Sequence, residues 1–504
     1  MIKTLIKKLF TIVLFPICLG VLSCKPNTPQ SNENKVGQLP RFVDSTTQVF
    51  STNSDSVDSI SAAQALVIIQ TAKANKSKFV ELANLYEPIP LQLWELTDID
   101  TLSLIGYRLS YLPDSIKMLK NLTYLDLQNT AIKKLPNGFG KLKKLKHLNL
   151  RMACYIPDFP ESSLELKNLE EIHFMGALQF GESMSINFKQ RESDLPESIK
   201  YLKSLKQLNF GKCGITKLPE SFGDLENLEE LDLTKSSISN LPENIGNLKH
   251  LRRFRAGMSG VTKFPESFGD LKNLKFFYTG ANGMTEFPAC FTRLDLDVLG
   301  IGTESNIAFL PENIGNLRVK CLELDITSIK NLPESFGNIE NLEELIITKS
   351  QLSSLPESFG NLKNLKILKL SNNKLKNLPS SFTQLEKLEE LDLQINQFKS
   401  FPESIINLIN LKILDIGFNN ISNLPENFKQ LQNLKSLTVF NNNFTQFPPV
   451  LAQLANLEVL DFGKNQLTVL PKNLDKMKKL KSCSLLNNKI PNLPSEYSFE
   501  VDHY

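Results

Sequence analysis

Two small groups of residues in this chain carry side chains whose types and spacing suit chemistry. Arg253 and Arg255 are each followed 23 residues later by an aromatic residue, Phe276 and Tyr278. A guanidinium brings a planar fork of N–H donors and a cation for the face of a ring. Arg and aromatic side chains also carry much of the energy of protein–protein contacts. The plainer expectation is that the two Arg stack on the rings and pair with nearby acids, Glu230 and Asp232 before them or Glu323 and Asp325 after. The second group is Tyr124, His147, Glu171 and His173, with intervals of 23 from Tyr124 to His147 and 24 from His147 to Glu171. Imidazoles beside a carboxylate suit a metal ion or a pH switch, although a solvated polar face is the simpler outcome.

Covalent chemistry has less support. The seven Cys are Cys18, Cys24, Cys154, Cys213, Cys290, Cys321 and Cys483, with no CxxC pair and no Cys/His spacing that suits zinc. Beyond Cys24 they read as small buried or half-buried thiols. The chain contains no phosphate-binding G-x-x-x-x-G-K-S/T, no G-x-S-x-G elbow and no H-E-x-x-H. No catalytic residue, metal or cofactor is therefore expected, and binding is the function class left.

Both groups sit on a regular frame. Leu-Pro or Phe-Pro recurs seventeen times between Pro113 and Pro494, mostly every 23 residues, with intervals of 24 (to Pro160), 36 (to Pro196) and 22 (to Pro333). Residues 365–383, LKILKLSNNKLKNLPSSFT, show the unit. The alternation at Leu368 and Leu370 predicts a short strand with those leucines inward and Ile367, Lys369 and Ser371 outward. Asn373 then turns the chain, its amide placed to satisfy backbone groups buried at the bend. Cys213, Ser236, Ser259, Asn282, Thr327, Ser350, Asn396, Asn419, Asn442, Asn465 and Asn488 hold the same place. Pro, with its fixed φ, opens a helical turn on the far side.

One such unit cannot bury its apolar face alone, so the units must stack. This repeat resembles the LP-type leucine-rich repeat of plant intracellular Ras-group proteins, Ras suppressor scaffolds and bacterial leucine-rich-repeat lipoproteins. The resemblance implies an α/β solenoid, a horseshoe of about 17 repeats over residues 91–498. It implies a parallel sheet on the concave face and short helices or 3-10 turns on the convex one. It also implies that the concave face holds a protein, peptide or glycan ligand. Arg253, Arg255, Phe276, Tyr278, Tyr124, His147 and His173 are the candidates there. The longest interval leaves a loop over 177–194, whose Phe180, Met184, Ile186 and Phe188 are candidates for a partner contact.

Residues 61–86 read as a helix, broken near Asn75, with Ser61 and Gln64 as a capping box and Leu66, Ile69, Phe79, Leu82 and Tyr86 as its apolar face. The segment 61–90 is expected to cap the first strand, and 499–504 to form a short tail.

The N-terminus reads as an address. Lys3, Lys7 and Lys8 precede an apolar run at 9–22, too short for a transmembrane helix and suited to a signal peptide. The run closes on Val21-Leu22-Ser23-Cys24, which resembles the lipobox of bacterial lipoproteins, although Leu22 is bulkier than usual at its position. The resemblance implies that the signal segment 1–24 is cut ahead of its last residue, with diacylglycerol on the Cys24 thiol and an acylated amine. Several acyl chains would hold the protein stably on a membrane. Residues 25–60, rich in Ser, Asn and Thr, read as a tether whose first part, of about 34 residues, spans roughly 30–35 Å. Loss of the three lysines from 57 basic residues leaves 54 against 54 acidic ones, a balance unsuited to nucleic acid. The expectation is an exported, lipid-anchored module at the outer membrane or cell surface. An intracellular signalling scaffold and a self-associating surface protein are the alternatives.

Overall fold

The computed structural model describes residues 60–491 apart from 86–87, 107–108, 154–157, 175–193, 213–214, 303–304 and 473. Cys24, the tether up to residue 59, Tyr86, the loop up to residue 193 with its apolar residues, and the tail at 499–504 lie outside the described residues.

Each unit folds as its spacing requires. Eighteen parallel strands, β1 (Phe79–Glu81) to β18 (Ser482–Ser484), form one sheet in which each pairs with its successor. The chain is a leucine-rich-repeat solenoid with the expected concave sheet. The register is uniform: in β13 (Ile367–Lys369) and β14 (Glu390–Asp392), Leu368 faces Leu391, and outward residues fall into columns across the sheet. The opposite face consists of 3-10 turns of three to five residues, most of them opened by the repeat proline in an extended conformation, as at Pro356 (φ −71°, ψ 158°). Their phenylalanines stack through the core, with ring centroids 6.3 Å apart for Phe336–Phe359 and 6.1 Å for Phe359–Phe382. Gly360 follows its Phe because a Cβ there would collide with the Ser381 carbonyl oxygen of the next turn.

The asparagines stitch successive units together. Asn396 accepts from the Leu375 N–H at 3.0 Å and donates to the carbonyls of Leu370 and Leu393 at 2.9 and 3.0 Å. The same pattern recurs at Asn373, Asn419, Asn442, Asn465 and Asn488. Each such amide answers buried backbone groups that would otherwise cost about 1–3 kcal/mol apiece.

The expected helix over 61–86 is corrected. Helix α1 spans Ala62–Ala74, with the Ser61–Gln64 capping box in place, and ends at Asn75. After Lys76 (φ 50°) the chain becomes β1, which pairs with β2 (Thr101–Ser103). Val80 and Leu82 are buried and Phe79 is exposed, the alternation of a strand. The seventeen proline-marked units therefore carry one further strand at their N-terminal end. The buried side of α1 is also smaller than expected, consisting of Ala65, Ile69 and Ala72.

Candidate functional site

The stacking places Arg253 and Arg255 on β8 (Arg253–Arg255) directly beside Phe276 and Tyr278 on β9 (Phe276–Tyr278), pair against pair. Phe254 and Phe277, between them, point the other way into a cluster with Phe268 and Phe291, their centroids 4.9–5.6 Å apart. That cluster fixes the two strands from below. Arg253 lies over the Phe276 ring, its Cζ 5.1 Å from the centroid, and faces Glu230 Oε1 at 3.7 Å. Arg255 faces Asp232 Oδ2 at 3.9 Å with its side chain 54% exposed. The stacking and the acid pairs are thus real, but both separations exceed a hydrogen bond and both groups stay wet, so each pair contributes little. The guanidinium donors remain available to an incoming acceptor.

Three features of this surface escaped the reading of the sequence. Tyr278 lies against Gly300 on β10 (Asp295–Gly300), where a Cβ would sit 2.6 Å from the ring. Glycine there lets the ring lie flat on the sheet. Next, Gly257, Gly280 and Gly302 follow one another in one outward column beside the patch, a place held singly by Gly211, Gly417 and Gly463 elsewhere and by Thr234, Ser371 or Gln394 in other units. A Cβ at Gly257 or Gly302 would meet nothing closer than 3.6 or 3.7 Å, so packing does not require those two glycines. They leave a strip of bare backbone next to the Arg and aromatic side chains. The repeating Gly at one register position was the signal in the sequence. Third, on β11 (Arg318–Glu323), Glu323 faces Gly300 across the strands, and burial, then Asp325 and Glu344, push its carboxyl up to about 7. Burial, followed by Glu323, raises the Tyr278 hydroxyl as well.

The second group is also assembled. Tyr124, His147 and Glu171 are outward neighbours on β3 (Tyr124–Asp126), β4 (His147–Asn149) and β5 (Glu171–His173). Glu171 Oε2 lies 3.1 Å from His147 Nδ1 and 3.5 Å from His173 Nε2. Hydrogen bonds from His147 and then His173 hold its carboxyl well below the usual range. Burial and Asp126 push the Tyr124 hydroxyl up to about 12. Among the described residues no group of three or more His, Cys, Asp or Glu is arranged to hold a metal ion. The imidazoles are spent on one carboxylate, which makes this a polar patch. The free thiols of Cys290 and Cys483 are buried, which pushes them up to about 11 and 12, away from the thiolate a nucleophile needs.

Comparison with known proteins agrees with this architecture. Residues 43–189 match the family described as a leucine-rich repeat region, and 340–398 and 410–431 match two further leucine-rich-repeat families. Among solved structures, a leucine-rich-repeat protein of the bacterium Leptospira interrogans is similar at 29% identity and a TM-score of 0.59, covering 79% of this chain and 92% of that one. The Toll–Spätzle complex of Drosophila gives a TM-score of 0.60 at 18% identity over 82% of this chain and 54% of that one, a likeness of fold. A probable disease resistance protein of Arabidopsis thaliana is 40% identical over 84 residues, 17% of this chain. The chain spans only about a tenth of that relative's length, 11%.

Proposed function

We propose that this chain is a non-enzymatic binding module, displayed on a bacterial envelope by acyl chains on Cys24, that grips a protein ligand on its concave face. One observation carries the reading: Arg253, Arg255, Phe276 and Tyr278 stand together on two adjacent strands, beside a strip of backbone that glycines leave bare. Solvated guanidiniums supply donors, the rings supply contact area at low entropic cost, and the bare strip admits a ligand's main chain. The stack beneath holds these groups rigid, so little ordering is needed on binding. The envelope location rests on the lipobox-like Val21-Leu22-Ser23-Cys24 and is in keeping with the likeness to a bacterial protein. The non-enzymatic reading rests on the absence of catalytic motifs from the sequence and on the protonated, buried state of the free thiols.

Both parts are testable in one strain. An alkyne-tagged fatty acid should label the wild type and not Cys24→Ala, with label and protein together in the membrane fraction; an unlabelled, soluble wild type contradicts the anchor. Affinity capture should recover a protein ligand with the wild type and lose it with Arg255→Ala and Tyr278→Ala. Equal recovery by all three removes the patch from the account.

A further inference from the structure

Among the described residues, most repeats leave their strand through a non-glycine residue with positive φ, from 49° at Lys349 to 60° at Asn129 and Lys212. That left-handed conformation suits Asn or Gly and disfavours branched and bulky side chains. Asn84, Asn129, Asn372, Asn441 and Asn487 meet the preference; Lys, Met and Ala residues and Ile326 hold the place elsewhere, and Ile395 (φ 53°) and Phe418 (φ 52°) set a branched and an aromatic side chain there in consecutive repeats. Burial gives no compensation, since Ile395 is 42% and Phe418 38% exposed, and Ile413 on the same face is 43% exposed. Neither backbone nor core therefore accounts for these side chains.

Their surroundings have a definite chemistry. Phe418 meets Phe440 with centroids 5.2 Å apart, and the Lys464 ammonium stands 5.8 and 5.9 Å from the two rings. A Cβ on Gly463 would lie 3.0 Å from the Phe440 ring, so that ring too rests on bare backbone. Alongside, Asp392, Asp415 and Asp461 occupy the third, outward position of β14, β15 (Ile413–Asp415) and β17 (Val459–Asp461). Asp415 Oδ1 accepts from the Gly417 N–H at 2.8 Å. Among the described residues no Lys or Arg forms an ion pair with Asp415, although Lys369 pairs with Glu390 and Lys412 with Glu389 nearby. Burial and the adjacent Asp392 push the Asp415 carboxyl up to about 7.

We infer that the outward face and exit rim of β14–β17 form a second contact surface, for a segment of a partner protein that sets an Arg or Lys against Asp415 and Asp392 and apolar side chains against Ile395, Ile413 and Phe418. Charge complementarity selects this occupant. An acidic or purely apolar segment would strip water from two half-buried carboxylates without replacing it, which is costly. Five strand spacings, about 24 Å, separate β14 from β9, so this surface is distinct from the Arg253–Tyr278 patch and stands or falls without it.

The test uses the full chain and two synthetic peptides, acetylated and amidated: Leu-Arg-Leu-Arg-Leu and its counterpart with Gln at both Arg positions. Anisotropy titrations should show the Arg peptide binding about tenfold more tightly, and Asp415→Asn should erase that preference. Ile395→Asn, the residue this backbone favours, should raise the thermal midpoint yet weaken the Arg peptide about tenfold, with Phe418→Asn as the parallel variant. Binding of the Arg peptide should also weaken as pH falls below about 7, where Asp415 takes up a proton. Tyr278→Ala should leave all of this unchanged. Equal affinity for both peptides, no binding of either, or wild-type affinity in Ile395→Asn and Phe418→Asn overturns the inference. Sedimentation showing a wild-type dimer and an Ile395→Asn monomer would instead give the surface to a second copy of this chain, which also overturns it.

Discussion

The C-terminal third of the sheet, β13 to β18, and its centre, β7 (Glu230–Asp232) to β11, solve one packing problem differently. In the C-terminal third every bend carries an asparagine, from Asn373 to Asn488, bonded to its own unit and to the one before. In the centre the same place is held by Ser236, Ser259, Asn282, Ser305 and Thr327, all buried, and Ser259 and Thr327 lean on Asn282 and Ser350 of the next unit. Hydroxyls make fewer bonds than an amide. Hydrophobic volume compensates, in the cluster of Phe254, Phe264, Phe268, Phe277 and Phe291. The comparison teaches that the stack tolerates two sources of cohesion, directional and apolar. In each region the outward residues are left to other work.

The largest effect should come from the centre's apolar source. Phe277→Ala should destabilise the solenoid by about 3–5 kcal/mol in urea unfolding, with hydrogen exchange accelerated first in the central strands. A loss below about 1 kcal/mol would show that the cluster is not the substitute for the ladder. Next, Asn419→Ala should cost about 1–3 kcal/mol, because it orphans the Phe398 N–H and takes one of two amide donors from each of the Leu393 and Ile416 carbonyls, which keep Asn396 and Asn442, whereas Ser236→Ala should cost less than about 1 kcal/mol. Equal losses at the two bends would remove the distinction between the regions.

On the surface, Gly257→Leu should leave the melting temperature within about 1 °C of wild type while lowering capture of the ligand at least as much as Tyr278→Ala. Unchanged capture would show that the bare strip is not used. The smallest effect concerns pH. A carboxyl raised in the folded state favours the protonated form there, so folding takes up protons between the ordinary Glu value and the raised one. Glu323, raised from 4.5 to about 7, thus makes the fold more stable below that window, an advantage lost as pH rises through about 7. Glu171 has the opposite sign, but its contribution is lost only as pH falls below the ordinary Glu range. Between pH 8 and 5.5 the thermal midpoint should therefore rise, and Glu323→Gln should remove roughly 1–2 °C of that rise after allowance for solvent screening.

Most of the fold was legible because 23-residue spacing and period-two leucines leave little choice of architecture. The role of Asn373 followed from its place at the bend. The break near Asn75 was legible, but the strand beyond it was not: Phe79, Leu82 and Tyr86 fit a helical spacing, and only pairing with Thr101–Ser103 shows Val80 to be the inward residue. The central patch was legible through register alone, since 23 residues separate Arg253 from Phe276 and Arg255 from Tyr278. Whether the two histidines meet a metal or a carboxylate was not, because that depends on side-chain rotamers. Ile395 and Phe418 gave no sequence signal either, as apolar residues in a leucine-rich chain attract no notice until their φ and exposure are known.

The central claim is that a rigid stack offers its concave centre to a protein ligand, and proximity labelling tests it most directly. A photo-crosslinking residue placed at exposed Met258, beside the patch, should form a covalent adduct with the ligand in intact cells, and one placed at exposed Asn361 on the 3-10 face should not. Adducts at Asn361 with none at Met258 would contradict the account.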